Sequence, residues 1–335
     1  MKEILRKTKI SVLNLVPKYN DETMTDAFKR AVALAEFADK HDFLRYWVAE
    51  HHNSPGVLSS ATEIILSHLA DHTKRIRIGA GGVMLPNHTV FQVAEKYGTL
   101  EALFPGRIDL GVGRAPGTDI ETAKLIYRNT YQLESFQKAI EELLDYFSKE
   151  ARDFKVAPYP GVGTNVPVTI LGSSLDSATV AAELGLPYSF AGHFAPNTVE
   201  AAFRLYRRNF KPSKYLDKPY TMLGLSANIA DNKTDADELE FHAIQVFLQI
   251  LDVKNRKEFE KINPDEAPEL TSMQKFALRT MRGLHIGGDK DEASRQWREM
   301  KERYQPDELI AVCYIPEYDK LEKSYEMLED IVLND

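Results

Sequence analysis

Short apolar runs alternate with longer amphipathic stretches along most of this 335-residue chain. The short runs are rich in Ile, Val, Leu and aromatic residues and are bounded by polar or glycine residues, which is typical of buried β-strands. Eight strands are therefore predicted: Ile10–Leu15, Tyr46–Ala49, Ile76–Ala80, Ile108–Val112, Val168–Leu171, Tyr188–Ala191, Thr221–Ala227 and Leu309–Tyr314.

Helices are predicted where apolar residues recur every three or four positions, since that spacing places them on one helix face. In the first helix this face consists of Ala27, Ala31, Leu34, Ala35 and Ala38. The predicted helices are Thr25–Lys40, Ser60–His72, Thr89–Leu103, Tyr131–Ser148, Leu175–Leu184, Pro196–Asn209, Lys233–Leu251, Asp291–Arg303 and Asp319–Val332.

Strands that alternate with helices predict an α/β fold, and eight such units predict a closed (β/α)8 TIM barrel. Barrels of this kind usually take about 250 residues, so the chain has room for an insertion. We place the insertion at residues 252–285, ahead of the last strand, within a single domain that spans residues 1–335. A doubly wound open sheet is the alternative fold.

The predicted insertion begins highly charged, contains Pro264 and Pro268, and ends in a helical pattern. A long segment of this kind can act as a lid or as an interface. A solvated excursion at the protein surface is an equally good interpretation.

Composition narrows the class of protein. Hydrophobic residues make up 43% of the chain and charged residues 27%, as in folded globular proteins. The formal net charge of -8 disfavours a nucleic-acid partner, because proteins that bind nucleic acids carry a basic face.

No apolar run has membrane-spanning length and no secretory signal is recognisable, which predicts a cytoplasmic protein without membrane contact. Cys313 is the single cysteine, which excludes an intramolecular disulfide and a cysteine-built metal site.

Polar residues and glycines follow several of the predicted strands, where a barrel has its reacting groups. The second strand leads into Glu50, His51 and His52. Adjacent side chains of an extended chain point to opposite sides, so the two imidazoles do not share a ligand, and no metal site is predicted. One histidine facing the cavity would donate or accept a proton near neutral pH. A pair of structural histidines is the alternative.

Glycines and hydroxyl groups at other strand ends suggest a phosphorylated, planar ligand. The segment from Gly111 to Gly117 is a poor dinucleotide fingerprint, because its third glycine falls one place late and Pro116 interrupts the turn. Arg114 within it is able to bind phosphate in a forked geometry. Ser173 and Ser174 precede a predicted helix, whose N-terminus favours anions. The alternatives are an exposed loop arginine and a serine cap without a ligand.

Five segments, taken in this order, are similar to those of a known family: YWVAEHHN, IGAGGVMLPNH, FPGRIDLGVGRAPGTD, ILGSSLDSA and AGHFAP. They resemble the bacterial luciferase-like flavin-dependent monooxygenases, in their single-chain alkanal monooxygenase branch. The resemblance extends from about Ser11 to Lys218 and returns near the C-terminus. It implies a (β/α)8 barrel, a homodimer, and reduced FMN supplied by a separate reductase; some branches use the deazaflavin F420 instead.

The resemblance also implies roles for individual residues. It implies that His51 and Glu50 are catalytic, with His51 managing a proton and Glu50 orienting the site. The alternation of side chains predicts that His52 is structural. The residues expected to bind the cofactor are Gly81 and Gly82 beside the flavin ring, often with a cis peptide between them, Arg114 at the phosphate, and Ser173, Ser174 and Ser177 along the phosphate and ribityl chain.

Two departures limit what the resemblance implies. Gly113 stands where the luciferase catalytic subunit has a reactive cysteine, so light emission is not implied. A second phosphate-binding arginine has no secure counterpart, although Arg128 would reach from the following segment.

The predicted function is a monooxygenase that acts on paired donors, FMNH2 and a small organic substrate, and incorporates molecular oxygen. The alternatives are an F420-dependent hydride-transfer enzyme and a non-catalytic flavin-binding protein.

Overall fold

Eight parallel strands close into a barrel in this protein. The structure is a computed structural model that describes residues 7–127, 133–252, 255–264, 267 and 269–335. Each barrel strand pairs in parallel with its neighbours, and a pairing between β6 and β7 completes the ring. The strands are β1 Lys9–Asn14, β2 Arg45–Val48, β3 Arg77–Met84, β4 Ile108–Gly113, β5 Val168–Gly172, β6 Tyr188–Phe190, β7 Thr221–Ala230, β8 His285–Asp289 and β9 Glu308–Val312. The predicted (β/α)8 barrel is confirmed.

Strand β8 is additional to the barrel and was not predicted. It pairs with the second half of β7, Ser226 to Ala230, beyond the part of β7 that pairs with β6. The prediction missed it because its sequence, HIGGD, contains two glycines and a single β-branched residue. The predicted insertion therefore leads into a strand that extends one wall of the barrel.

Helices surround the barrel, and the apolar faces of most of them form its outer core. They are α1 Met24–Lys40, α2 Thr62–His72, α3 Val90–Leu103, α4 Ile120–Ile126, α5 Leu133–Phe147, α6 Leu175–Leu184, α7 Val199–Asn209, α8 Lys233–Leu251, α9 Ser272–Met281, α10 Lys290–Tyr304 and α11 Tyr318–Asn334. The face predicted for α1 is buried. Helix α4 was not predicted, and the predicted helix at Tyr131–Ser148 begins outside the described residues. Within the described part of the chain, no helix has the length and hydropathy needed to span a bilayer.

A buried ionic network closes the N-terminal end of the barrel. Glu308 accepts hydrogen bonds from Arg45 Nε at 2.8 Å, from the Tyr220 hydroxyl at 2.7 Å and from the Ser11 hydroxyl at 2.5 Å. Arg45 also bonds Asp109 through Nη1 at 2.6 Å. The carboxylates therefore share an arginine and have hydrogen-bond donors, as buried charges require. The candidate site lies at the opposite end of the barrel, where the strands have their C-terminal ends.

Candidate active site

The C-terminal ends of the barrel strands enclose a cavity of about 450 Å³, a size that suits a small-molecule ligand. Its walls are largely apolar, from Leu13, Trp47, Leu171, Phe190 and Ile310 among others. Six of the eight predicted site residues line it: His51, Gly81, Arg114, Ser173, Ser174 and Ser177. Glu50 and Gly82 are placed just behind this lining.

The alternation of side chains after β2 separates His51 from its two neighbours. His51 lies on the cavity side. Glu50 and His52 lie together on the other side, with His52 Nε2 2.8 Å from Glu50 Oε1. This is the arrangement expected of an extended chain, in which residues two apart share a side. The structure therefore brings one imidazole, and not two, to the cavity.

Glu50 is buried and ionised. Burial alone would raise its pKa, but hydrogen bonds from His52, His88 and Asn87 outweigh that effect and lower the pKa to about 2. The Met84 backbone N–H also donates to Glu50, at 2.8 Å. Asn87 and His88 follow β3, and sequence reasoning gave them no role because their meeting with Glu50 depends on strand order. A carboxylate with so low a pKa stays ionised near neutral pH. Glu50 is therefore better suited to positioning the neighbouring groups than to transferring a proton.

The depressed pKa of Glu50 makes a pH-dependent contribution to folding. A carboxyl whose pKa falls from 4.5 to about 2 stabilises the fold above pH 4.5, and that contribution is lost as the pH falls toward 2. Relative to Glu50→Gln, the wild type should lose about 3 kcal/mol of unfolding free energy between pH 6 and pH 2. Urea unfolding across this pH range measures the difference. The same exchange at exposed Glu299 is the control, and parallel pH curves for wild type and Glu50→Gln would contradict the assignment.

The opposite side of the cavity carries groups suited to a phosphate. Arg114 lies 3.1 Å from Asp176, measured between Nη2 and Oδ2. Ser174 caps α6, whose N-terminus therefore faces the same region as Arg114. The Ser177 hydroxyl donates to the Ser174 carbonyl at 2.8 Å and lies 3.0 Å from the Tyr188 hydroxyl. A guanidinium and a helix N-terminus thus lie at one corner of the cavity.

A second imidazole, that of His193, lines the cavity after β6. Burial, together with the nearby His51, lowers the pKa of His193 to about 4, and burial likewise lowers the pKa of His51. Both rings are therefore neutral near pH 7. Among the residues described, neither ring has a hydrogen-bond partner for its buried Nδ1 atom. His193 was not predicted as a site residue. Its position directly after a predicted strand is the sequence feature that could have identified it.

The part of β3 that lies next to the cavity contains glycines. The peptide bond between Gly81 and Gly82 is cis. A Cβ atom at Gly81 would lie 2.5 Å from the Trp47 ring, and one at Gly172 would overlap the Ser177 hydroxyl. Side chains at these two positions would therefore displace groups that line the cavity.

Part of the predicted insertion is anchored to the rim of the site. Arg256 donates to Asp119 and to the Asn53 carbonyl, both at 2.6 Å. Phe259 is buried and packs near Tyr19. This part is not a solvated excursion, whereas α9 has no buried residue. The predicted second phosphate contact, Arg128, lies outside the described residues.

Comparison with known proteins identifies what the chain is similar to. The profile of the luciferase-like monooxygenase family matches residues 10–311. The chain is 40% identical to the protein YvbT of Bacillus subtilis over 332 residues, 98% of each chain. It is 37% identical to a luciferase-like monooxygenase of Escherichia coli K12 over 325 residues, 96% of each chain. The crystal structure of apo-MsnO8 superposes with a TM-score of 0.86 at 25% identity, covering 97% of this chain and 98% of that one.

More distant structures share the fold alone. The oxygenating constituent of 3,6-diketocamphane monooxygenase from Pseudomonas putida, in complex with FMN, superposes with a TM-score of 0.69 at 14% identity, covering 98% of this chain and 99% of that one. An F420-dependent secondary alcohol dehydrogenase superposes with a TM-score of 0.67 at 16% identity, covering 96% of this chain and 99% of that one. The fold therefore accommodates both kinds of cofactor.

Proposed function

This chain belongs to the luciferase-like monooxygenase family, and from that premise we propose that it is a flavin-dependent monooxygenase acting on a small organic substrate with reduced FMN and O2. The observation that carries the proposal is the cavity at the C-terminal barrel end, where Arg114 with the N-terminus of α6 and a neutral imidazole flank apolar walls. A reductase that supplies FMNH2, a homodimer, a cytoplasmic location and a single domain remain predictions.

The residues present fit FMN. Arg114, with Ser173, Ser174 and the N-terminus of α6, would hold the phosphate. The apolar walls and Gly81, with Gly82 behind it, would accept the planar ring system, since no side chain projects from either glycine. Reduced FMN, when bound, supplies the electrons with which O2 is activated.

The role proposed for this chain's own residues is proton transfer, together with the positioning of the group that performs it. We assign His51 as the catalytic residue, because its neutral imidazole lines the cavity and can both donate and accept a proton. Glu50 is a positioning residue, which fixes the chain around His51 through its bonds to His52, to the end of β3 and to the segment after β3. The apolar walls exclude water, which protects reactive species from side reactions.

A titration tests the cofactor assignment. FMN should bind saturably, and riboflavin, which lacks the phosphate, should bind about 10- to 150-fold more weakly, because hydrogen bonds to a charged group contribute roughly 1.5–3 kcal/mol. Fluorescence quenching with oxidised FMN, reduced FMN, riboflavin and F420 measures these affinities. Equal binding of FMN and riboflavin would contradict the phosphate corner. Preference for F420 would replace the proposal by hydride transfer, and binding of neither cofactor would overturn it.

A further inference from the structure

Met84 brings a thioether to the cavity of about 450 Å³ at the C-terminal end of the barrel, which we call the cofactor cavity. Met84 is the last residue of β3 and is half-buried. Among the described residues that line this cavity, it is the only one that contains sulfur. Methionine is a common target of oxidation in proteins, so an oxidant formed in the cavity would act on this side chain.

The Met84 sulfur lies against two glycines that line the same cavity. A Cβ atom built on Gly113 would lie 3.5 Å from Met84 Sδ and 3.6 Å from its Cε, and one built on Gly117 would lie 3.0 Å from its Cγ. The Met84 backbone N–H donates to Glu50 at 2.8 Å, which holds the end of β3 in place. Because neither glycine has a side chain, the thioether is not screened from the cavity on that side.

Other methionines differ from Met84 in their exposure to water. Met273 on α9 is 81% exposed and Met24 at the start of α1 is 59% exposed, whereas Met222 on β7 is 1% exposed. An oxidant dissolved in the surrounding water would therefore reach Met273 and Met24 before it reached Met84. Oxidation of Met84 ahead of these two residues would show that the oxidant forms inside the cavity.

Hydrogen peroxide is the oxidant that the proposed function would supply in this cavity. In the absence of an organic substrate, the reaction of reduced FMN with O2 transfers two electrons and two protons to O2 and gives oxidised FMN and H2O2. The Met84 sulfur would use a lone pair to attack one oxygen of H2O2, and the O–O bond breaks. The oxygen now bonded to sulfur loses its proton to the departing hydroxide, which becomes water. The thioether is thereby oxidised to a sulfoxide, and the peroxide is reduced.

The sulfoxide would change the character of the cavity wall. Its oxygen is polar and accepts hydrogen bonds, whereas the walls around it are largely apolar. A polar group that is buried against apolar side chains without a partner is unfavourable. A planar ring system should therefore bind less well beside the sulfoxide than beside the thioether.

We propose that Met84 is an oxidation site, at which turnover without an organic substrate converts the thioether to the sulfoxide and weakens the binding of FMN. The proposal rests on the proposed function, which is the source of the peroxide. Weaker FMN binding would in turn slow the formation of further peroxide, so the modification limits wasteful turnover.

Peptide mass spectrometry after turnover without an organic substrate tests the proposal. The full chain is incubated in air with FMN, NADH and a flavin reductase, and catalase removes peroxide from the surrounding solution. Met84 and Met273 lie in separate tryptic peptides, residues 78–96 and 262–275, and each peptide contains a single methionine. We expect the mass of one added oxygen atom in the Met84 peptide and little in the Met273 peptide. Peroxide added to the protein without flavin should reverse this order.

Two variants serve as matched controls. Arg114→Ala, which is expected to bind FMN more weakly, should show less oxidation of Met84 at an FMN concentration that half-saturates the wild type. Met84→Leu keeps an apolar side chain of similar size and removes the sulfur. FMN affinity of the wild type should fall by about fivefold or more after the treatment, because a polar oxygen enters an apolar wall. The affinity of Met84→Leu should be the same before and after.

The titration with FMN separates the possible failures. Oxidation of Met273 ahead of Met84 in a protein that binds FMN would overturn this inference and leave the proposed function standing. An FMN affinity that stays constant although Met84 is oxidised would have the same effect. Absence of FMN binding would overturn the proposed function and this inference together.

Discussion

Replacing His51 by alanine is expected to lower turnover by about 10²- to 10⁴-fold, the usual contribution of a general acid or base, while FMN affinity changes little. His51 is the predicted imidazole that lies on the cavity side, and burial lowers its pKa, so that the ring is neutral at working pH. A reductase-coupled assay of product formation measures turnover, and flavin fluorescence measures affinity.

The pH profile makes this test specific for proton transfer. Because the pKa of His51 is lowered from 6.5, activity that needs the neutral ring should fall only at a pH below 6.5, and this acidic limb should disappear in His51→Ala. His52→Gln is the matched control, since it keeps a donor toward Glu50 on the side away from the cavity. Undiminished product formation by His51→Ala would exclude His51 as the catalyst. Flavin binding without turnover in the wild type would favour a non-catalytic flavin-binding protein.

Replacing Arg114 by alanine is expected to weaken FMN binding by about 10- to 150-fold, because the charge-assisted hydrogen bonds to the phosphate are lost. Riboflavin affinity, which involves no phosphate, should stay nearly constant. Fluorescence titration of both ligands on both proteins measures the difference.

Asp176 offers a control for the Arg114 prediction. Its carboxylate lies 3.1 Å from the guanidinium and would compete with a phosphate for it. Asp176→Asn should therefore bind FMN as tightly as the wild type or a few-fold more tightly. If Arg114→Ala weakened FMN and riboflavin equally, the arginine would shape the cavity without contacting a phosphate.

Much of the fold was predictable because burial on both faces leaves continuous apolar runs in parallel strands. The runs at Ile108 and Val168 begin the observed strands β4 and β5. Strand β8 could not be predicted in this way. Its glycine-rich sequence does not favour a strand, and it forms one because it pairs with β7. Helix α4 is short and lies within a loop, where helical spacing has too few turns to be recognised.

The candidate site was predictable only in part. Side-chain alternation placed His51 apart from Glu50 and His52, because that rule needs only the local chain. The partners of Glu50 after β3, and the approach of His193 to His51, depend on which strands become neighbours. Such relationships are tertiary, and a single sequence carries no direct record of them.

Strand β8 has a consequence for exchanging parts between related enzymes. In the β7–β8 ladder, Asn228 pairs with Gly287, so β7 is hydrogen-bonded to the strand that directly follows the predicted insertion. A chimera that exchanged residues 252–284 alone would join a foreign loop to a native ladder. A module for recombination that begins at Thr221 and extends through Asp289 contains both strands of the ladder, so the ladder transfers as one piece with the segment between them.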